Sequence, residues 1–280
     1  MVCFCLMFRG LVQECIFWRL RGKGGFCCLK RWLNCKGRKM LIKTRGILFR
    51  AIKYSETSII ADIYTEEKGL RGYIISGVRS KHAKVSMGLL QVMSLVELVA
   101  YDRDDKSLNR IKEIKAAHVY QSLPFDIHKS AVGMFIVEVA GKAIKGSEEN
   151  RGLFGFIYDI LVYLDVTDAL AYNNLHLSFM LGLSAYLGFQ PHGEVVGRGW
   201  YLDMKEGVFT KDVPEHVYYL SETHTSFVLQ LLQRDWQSGG EVKMSRTERR
   251  LLVNDLLNYY RLHIDNFPVV NSHEIWGTVL

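Results

Sequence analysis

The sequence predicts an α+β chain in which a small β-barrel precedes an α-helical domain. Two observations carry this. Five short β-rich segments lie between Leu41 and about Val119, and beyond Pro124 apolar residues recur at three- and four-residue spacing. A third refines it: Trp200–Thr210 alternates around Glu206-Gly207, so a small β-hairpin is inserted among the helices.

Taken in order, Leu41-Ile-Lys-Thr-Arg-Gly-Ile-Leu-Phe-Arg-Ala-Ile52 reads as a long first strand, with Gly46 as its bend or bulge. Ser58–Thr65 is a second, β-branched strand; Glu66–Gly69 is the turn, and Gly72–Arg79 is the third. After a basic loop, Leu89–Tyr101 is a continuous apolar strand ended by Asp102-Arg-Asp-Asp-Lys106, and Leu108–Val119 is the last. Five short strands in about 80 residues fit a closed barrel, and a five-stranded OB-fold is the expected form. The helices are Ile127–Ile144, Leu153–Leu164, Leu175–Leu187 and Thr223–Trp236, each carrying a helical apolar period. A last helix, Arg246–Ile264, is announced by Ser245 with Glu248 three positions on, a capping box. Phe179-Met-Leu-Gly-Leu-Ser-Ala-Tyr186 reads as core rather than as a partner groove.

The expected organisation is residues 1–39 as an extension, 40–119 as the barrel domain, and 120–280 as the helical domain with the hairpin at about 190–220. Residues 1–39 hold nine Lys/Arg, one acid (Glu14) and all six cysteines. Glu14 interrupts the apolar run, no small-residue cleavage site follows, and Cys3/Cys5 and Cys27/Cys28 lack metal-site spacing. This segment reads as an extension without a stable fold, with Met40 as the natural first residue. No thiol follows Cys35, so the folded part is expected to hold neither disulfides nor a thiolate metal site. No run of 18 apolar residues suggests a membrane span, and a cytoplasmic location is the default.

The +7 net charge is unevenly spread. Residues 40–117 hold 14 basic and 9 acidic side chains, a net of +5, whereas 118–280 hold 13 and 19, a net of −6. A basic barrel joined to an acidic helical domain suits a polyanion, and barrels of this kind bind single strands with charged grooves and stacking aromatics. Candidate groove residues for a phosphate backbone are Lys43 and Arg45 on the first strand, Lys53 at its end, Arg71 and Tyr73 entering the third, and Arg79, Lys81 and Lys84 in the loop. Lys43 and Arg45 share a strand face by the two-residue period, as do Arg71 and Tyr73. Phosphate contacts of this sort give affinity without sequence information.

Gly46-Ile-Leu-Phe-Arg-Ala-Ile-Lys-Tyr-Ser-Glu-Thr-Ser-Ile-Ile-Ala-Asp-Ile-Tyr-Thr-Glu-Glu-Lys-Gly69, then Gly77-Val-Arg-Ser80 and Leu89-Leu-Gln91, resemble the opening barrel of the RecO (recombination protein O) family of DNA repair proteins. Leu187-Gly-Phe-Gln-Pro191, Arg250-Leu-Leu and Leu257-Asn-Tyr-Tyr-Arg-Leu-His263 resemble its helical part, so the likeness covers roughly 40–270. The resemblance implies an OB-fold followed by a helical domain, binding of single- and double-stranded DNA, and annealing of complementary strands. It also implies contacts with RecR and with the C-terminal tail of single-strand-binding protein, which together help load RecA on gapped DNA. Matched to the family's basic barrel, Arg45, Arg71, Arg79, Lys81 and Lys84 are its expected DNA contacts. Many relatives carry a four-cysteine zinc module just after the Leu-Gly-Phe-x-Pro stretch; Phe189–Leu220 has no cysteine, as in a Bacteroidetes-like member lacking it. His192, His216 and His224 are too dispersed to replace four thiolates, so no metal or other cofactor is expected and apolar packing is left to hold the hairpin.

Catalysis is not expected. The sequence lacks H-E-x-x-H, G-x-S-x-G and a phosphate loop. His118, His176 and His263 read as helix or barrel-edge residues, and Asp102, Asp104 and Asp105, interleaved with Arg103 and Lys106, read as a solvated turn. Two alternatives stay open: a protein-interaction scaffold whose barrel ignores nucleic acid, and a metal-dependent nuclease.

Overall fold

Strand β1 (Met40–Lys53) pairs with β2 (Ile59–Thr65) along its second half and with β4 (Leu95–Asp102) along its first, so one long strand closes the barrel. The computed structural model describes residues 40–78, 86–102, 108–146 and 148–273. Strand β3 (Gly69–Ile75) runs antiparallel to β2, and β5 (Asn109–Ala116) pairs parallel to β3 and antiparallel to β4. The order β1-β2-β3-β5-β4 is a closed five-stranded barrel, the OB-fold expected from the strand count.

Several boundaries moved for local reasons. The β1 irregularity lies between Leu48 and Arg50, not at Gly46. At Gly46 a Cβ would sit 2.6 Å from the Ile63 side chain, so the glycine serves close strand packing. Strand β3 starts at Gly69, whose φ of 60° turns the chain, and ends at Ile75, earlier than the apolar run suggested. Met87–Leu90 forms a short 3₁₀ turn capped by Ser86, and only from Leu95 does the chain join the sheet.

The helices follow: α1 (Ile127–Ala143), α2 (Arg151–Val166), the short α3 (Ala169–Tyr172), α4 (Leu175–Tyr186), α5 (Glu222–Leu232) and α6 (Arg246–His263). The Ser245–Glu248 capping box is present. The insertion is a three-stranded sheet, β7 (Val208–Thr210), β6 (Tyr201–Asp203) and β8 (Tyr219–Leu220), rather than a bare hairpin. Two-residue β8 is too short to carry an alternation signal. Buried Leu202, Met204, Phe209 and Leu220 anchor this sheet, and Thr225 accepts the Leu202 N–H. Phe179, Met180, Leu181 and Leu183 of α4 are core, as their pattern suggested.

Two cores result. One fills the barrel with Leu48, Ile63, Tyr73, Val96 and Leu98. The larger lies among the helices and reaches onto the barrel through Ile47, Phe49, Tyr64 and Leu95. Both faces of β1 are therefore buried near residue 48, since Leu48 points inward while Ile47 and Phe49 meet the helices. Phe49 stacks on Tyr64 at 5.6 Å, and Tyr64 meets Phe154 of α2 at 6.1 Å.

A carboxylate ties the segment after α6 to this core. Glu138 of α1 accepts the Asn271 and Ser272 N–H groups at 3.1 and 2.9 Å and pairs with Lys142. Burial alone would raise its pKa, but these donors prevail and hold it down to about 2. A folded pKa below the unfolded value adds stability above pH ~4.5 that is lost as pH falls toward 2. Glu138→Gln should therefore flatten the acid limb of a stability-versus-pH curve in that window. An unchanged limb would show that Glu138 does not stabilise the fold through its charge.

Candidate nucleic-acid interface

The outer wall of β1, β4 and β5 is built by strand register. Across it run three rows: Leu41–Tyr101–Arg110, Lys43–Val99–Glu113 and Arg45–Glu97–Lys115. Their side chains face away from the barrel because the neighbours Leu98, Ala100 and Ile111 fill it. A bulge in the β4–β5 pairing, between Val99 and Ala100, leaves Lys112 as the extra residue of β5. Arg110, Lys112 and Lys115 are consequently all exposed on a strand whose inner face carries Asn109, Ile111 and Ile114.

Electrostatically the wall is under-neutralised. Lys115 and Lys43 share the Glu97 carboxylate, at 3.0 and 3.9 Å, and Lys112 meets Glu113 at 3.3 Å. The Lys115 hydrogen bond, with charge from Lys115 and Lys43, lowers the Glu97 pKa. Arg110 has no ion-pair partner among the described residues. Exposed lysine–carboxylate pairs contribute little to stability, so exchanging a carboxylate for a phosphate costs the fold almost nothing. A shallow concavity of about 560 Å³ lies between Lys43, Glu97, Val99, Glu113 and Lys115, and half-buried Tyr101 supplies an aromatic ring beside Arg110.

The residues singled out from the sequence are not all brought together. Lys43, 71% exposed, stands on this wall. Arg45 stands beside it but is committed elsewhere: it binds Glu66 through two 2.9 Å hydrogen bonds and lies over the rings of Phe154 and Tyr158, at 5.5 and 5.1 Å. The Glu66 hydrogen bond raises its pKa further. Arg45 thus fastens the barrel to α2. Lys53 is exposed at the far end of β1, without an ion pair among the described residues.

Arg71 and Tyr73 do share a face, but it is the barrel's interior. Tyr73 is fully buried, its pKa pushed up to about 12 by that burial, and it cannot stack on a base. Arg71 turns toward buried Asp102, 3.8 Å away, which Lys68 also approaches at 3.1 Å. Asp102 is therefore an internal ion-pair acceptor rather than a solvated turn residue. Arg79, Lys81 and Lys84 lie outside the described residues, as do Asp104 and Asp105.

Arg110, Lys112, Lys115 and Tyr101 were missed by sequence reasoning. The signal was present in Asn109-Arg-Ile-Lys-Glu-Ile-Lys-Ala116, where cations alternate with isoleucine, but the bulge that turns three cations outward was not.

Five of the histidines, His118, His176, His216, His224 and His263, are structural. His118 Nε2 lies 3.2 Å from Asp165, His263 Nε2 is 2.9 Å from the Met204 carbonyl, and His176 is sealed in the core with its pKa lowered to about 3 by burial. His216 is engaged by Asp203 and His224 by Asp255. With no cysteine in Phe189–Leu220, the insertion's donors do not fit a zinc ion. Among the described residues, no three His, Cys, Asp or Glu side chains gather to hold a metal, and no helix is long and apolar enough to cross a membrane.

Comparison with known proteins coincides with these two structural halves. Residues 40–120 match the family described as "Recombination protein O N terminal", and residues 124–272 match "Recombination protein O C terminal". The chain is 36% identical over 237 residues to the DNA repair protein RecO of Bacteroides fragilis, covering 84% of this chain and 98% of that protein. The corresponding protein of Phocaeicola vulgatus is 34% identical over 236 residues, with the same coverage of each chain. That of Flavobacterium psychrophilum is 32% identical over 238 residues, again covering 84% and 98%. With both halves matched and nearly the full length of each relative spanned, the chain belongs to the RecO family of DNA repair proteins.

Proposed function

We propose that this protein is a non-catalytic recombination mediator that binds DNA through the outer wall of its barrel. In this reading it binds single- and double-stranded DNA, anneals complementary strands and helps load RecA on gapped DNA. RecR and the tail of single-strand-binding protein are its protein partners, and it works in the cytoplasm at the nucleoid. The observation that carries the reading is the gathering of Lys43, Arg110, Lys112 and Lys115 on one wall of an OB-fold in a chain of this family. Annealing asks only for neutralised phosphates and proximity, which cations on a rigid sheet supply without an acid, base or nucleophile.

A titration of labelled single-stranded oligonucleotide against salt tests it. The double variant Lys43→Glu, Lys115→Glu should bind roughly tenfold more weakly at low salt, with a slope of log K on log salt reduced by about 1.4. Both side chains are about 70% exposed, so the fold should be unaffected. Charge reversal of Arg79, Lys81 and Lys84 reports separately on the loop. Absence of binding by the unmodified protein, with retained capture of protein partners, would replace the reading by that of an interaction scaffold.

A further inference from the structure

The helical part of the chain is acidic overall, yet one long face of it carries no acid. Along α6 the exposed positions are Arg246, Thr247, Arg250, Leu251, Asn254, Asn258, Arg261 and Leu262. The helix has only two carboxylates, and both are engaged: Glu248 closes the capping box on Ser245, and Asp255 accepts from His224 at 2.6 Å. Among the described residues, none of Arg246, Arg249, Arg250 and Arg261 forms an ion pair. The strip from Arg246 to Arg261 spans sixteen residues, about 22 Å of helix.

This arrangement is not what helix stability asks for. Cations in a first turn oppose the helix dipole, and Arg246 and Arg250, four residues apart, repel each other. Arg249, between them, is held in place: its Nε donates to the Asn174 oxygen at 2.8 Å, and Asn174, itself buried, donates to the Gly239 and Val242 carbonyls. The rest of its guanidinium has no carboxylate to meet, and burial together with Arg246 lowers its pKa. A positioned, unpaired guanidinium beside two more arginines is suited to phosphate oxygens, and Arg, Asn and Thr are residue types that contact the sugar-phosphate backbone.

We propose that the solvent face of α6, with Arg246 and Arg250 exposed and half-buried Arg249 between them, is a second polynucleotide-binding surface, separate from the barrel wall. The opposite, buried face of α6 packs on α4, whereas the barrel is met by α1 and α2. One molecule then holds two strands at once, the barrel taking one and α6 the other. This inference rests on the reading of the barrel as a DNA-binding element.

The test uses two non-complementary oligonucleotides, one carrying a donor and one an acceptor fluorophore, with the full-length protein and the double variant Arg246→Glu, Arg250→Glu. Both positions are exposed, and circular dichroism checks that the helix persists. Energy transfer with the unmodified protein, lost in the variant while single-oligonucleotide affinity stays within about twofold, supports the proposal; the second strand should then bind roughly tenfold more weakly. Transfer retained by the variant overturns it and leaves the barrel reading intact. Binding of one oligonucleotide by the unmodified protein without transfer also overturns it. No binding of either overturns both readings. If the α6 variant loses all binding while Lys43→Glu, Lys115→Glu binds normally, α6 is the sole polynucleotide surface, and the two-strand arrangement falls.

Discussion

Replacing Asp165 with alanine is expected to lower the free energy of unfolding by about 3–5 kcal/mol. Asp165 stands at the end of α2 and is 1% exposed, in a place where the helix dipole disfavours a carboxylate. What stabilises it there is the segment joining barrel to helices. Its oxygens accept the N–H groups of Gln121, Ser122 and Leu123, at 3.0, 2.8 and 2.8 Å, and approach His118. Lys129, itself buried, completes the arrangement by donating to the Ser122 hydroxyl and the Asp165 carbonyl, at 2.8 and 2.9 Å. Alanine would leave three backbone donors without an acceptor at the point where the two halves join. Burial raises the Asp165 pKa, but the hydrogen bonds outweigh it and the net shift is downward. Its contribution is therefore present above the unfolded carboxylate's pKa and lost as pH falls through the lower folded value. Urea unfolding followed by tryptophan fluorescence measures the effect, and Asp165→Asn, which keeps one acceptor, should be milder. A loss below about 1 kcal/mol would mean that packing alone fixes the joining segment.

Phe154→Ala should cost a similar amount, about 3–5 kcal/mol, for a different reason. Phe154 of α2 is fully buried against the barrel, 6.1 Å from the Tyr64 ring and 5.9 Å from Tyr158. The Arg45 guanidinium lies over its edge of the seam, so truncation opens a cavity and also removes part of the surface on which Arg45 rests. Tyr158→Phe is the control: it keeps the ring under Arg45 and should cost little. Equal loss in both variants would place the energy in the Tyr158 hydroxyl instead of in the aromatic seam.

Much of the architecture was legible because it depends on local periodicity. The change of period near Pro124, the Ser245–Glu248 box and the Glu206-Gly207 turn are short-range signals, and each marks a real element boundary or cap. Legibility weakened where a residue's role depends on closure. Alternation correctly placed Arg71 and Tyr73 on one face of β3 and Lys43 and Arg45 on one face of β1. It could not say which face becomes the inside of a barrel, and Tyr73, a candidate contact by alternation, fills the interior. Arg45 looked like a free cation for want of any sign that Glu66, Phe154 and Tyr158 would surround it.

By itself the sequence determined the succession of strands and helices and the concentration of positive charge before residue 118. These follow from side-chain type and spacing within a few residues of each other. Only the tertiary structure decided which cations face solvent together, because that depends on strand register, on the β4–β5 bulge and on the docking of α2 against β1. Those features arise when segments distant along the chain exclude water from one another. A patch of like charge is a property of the surface left over.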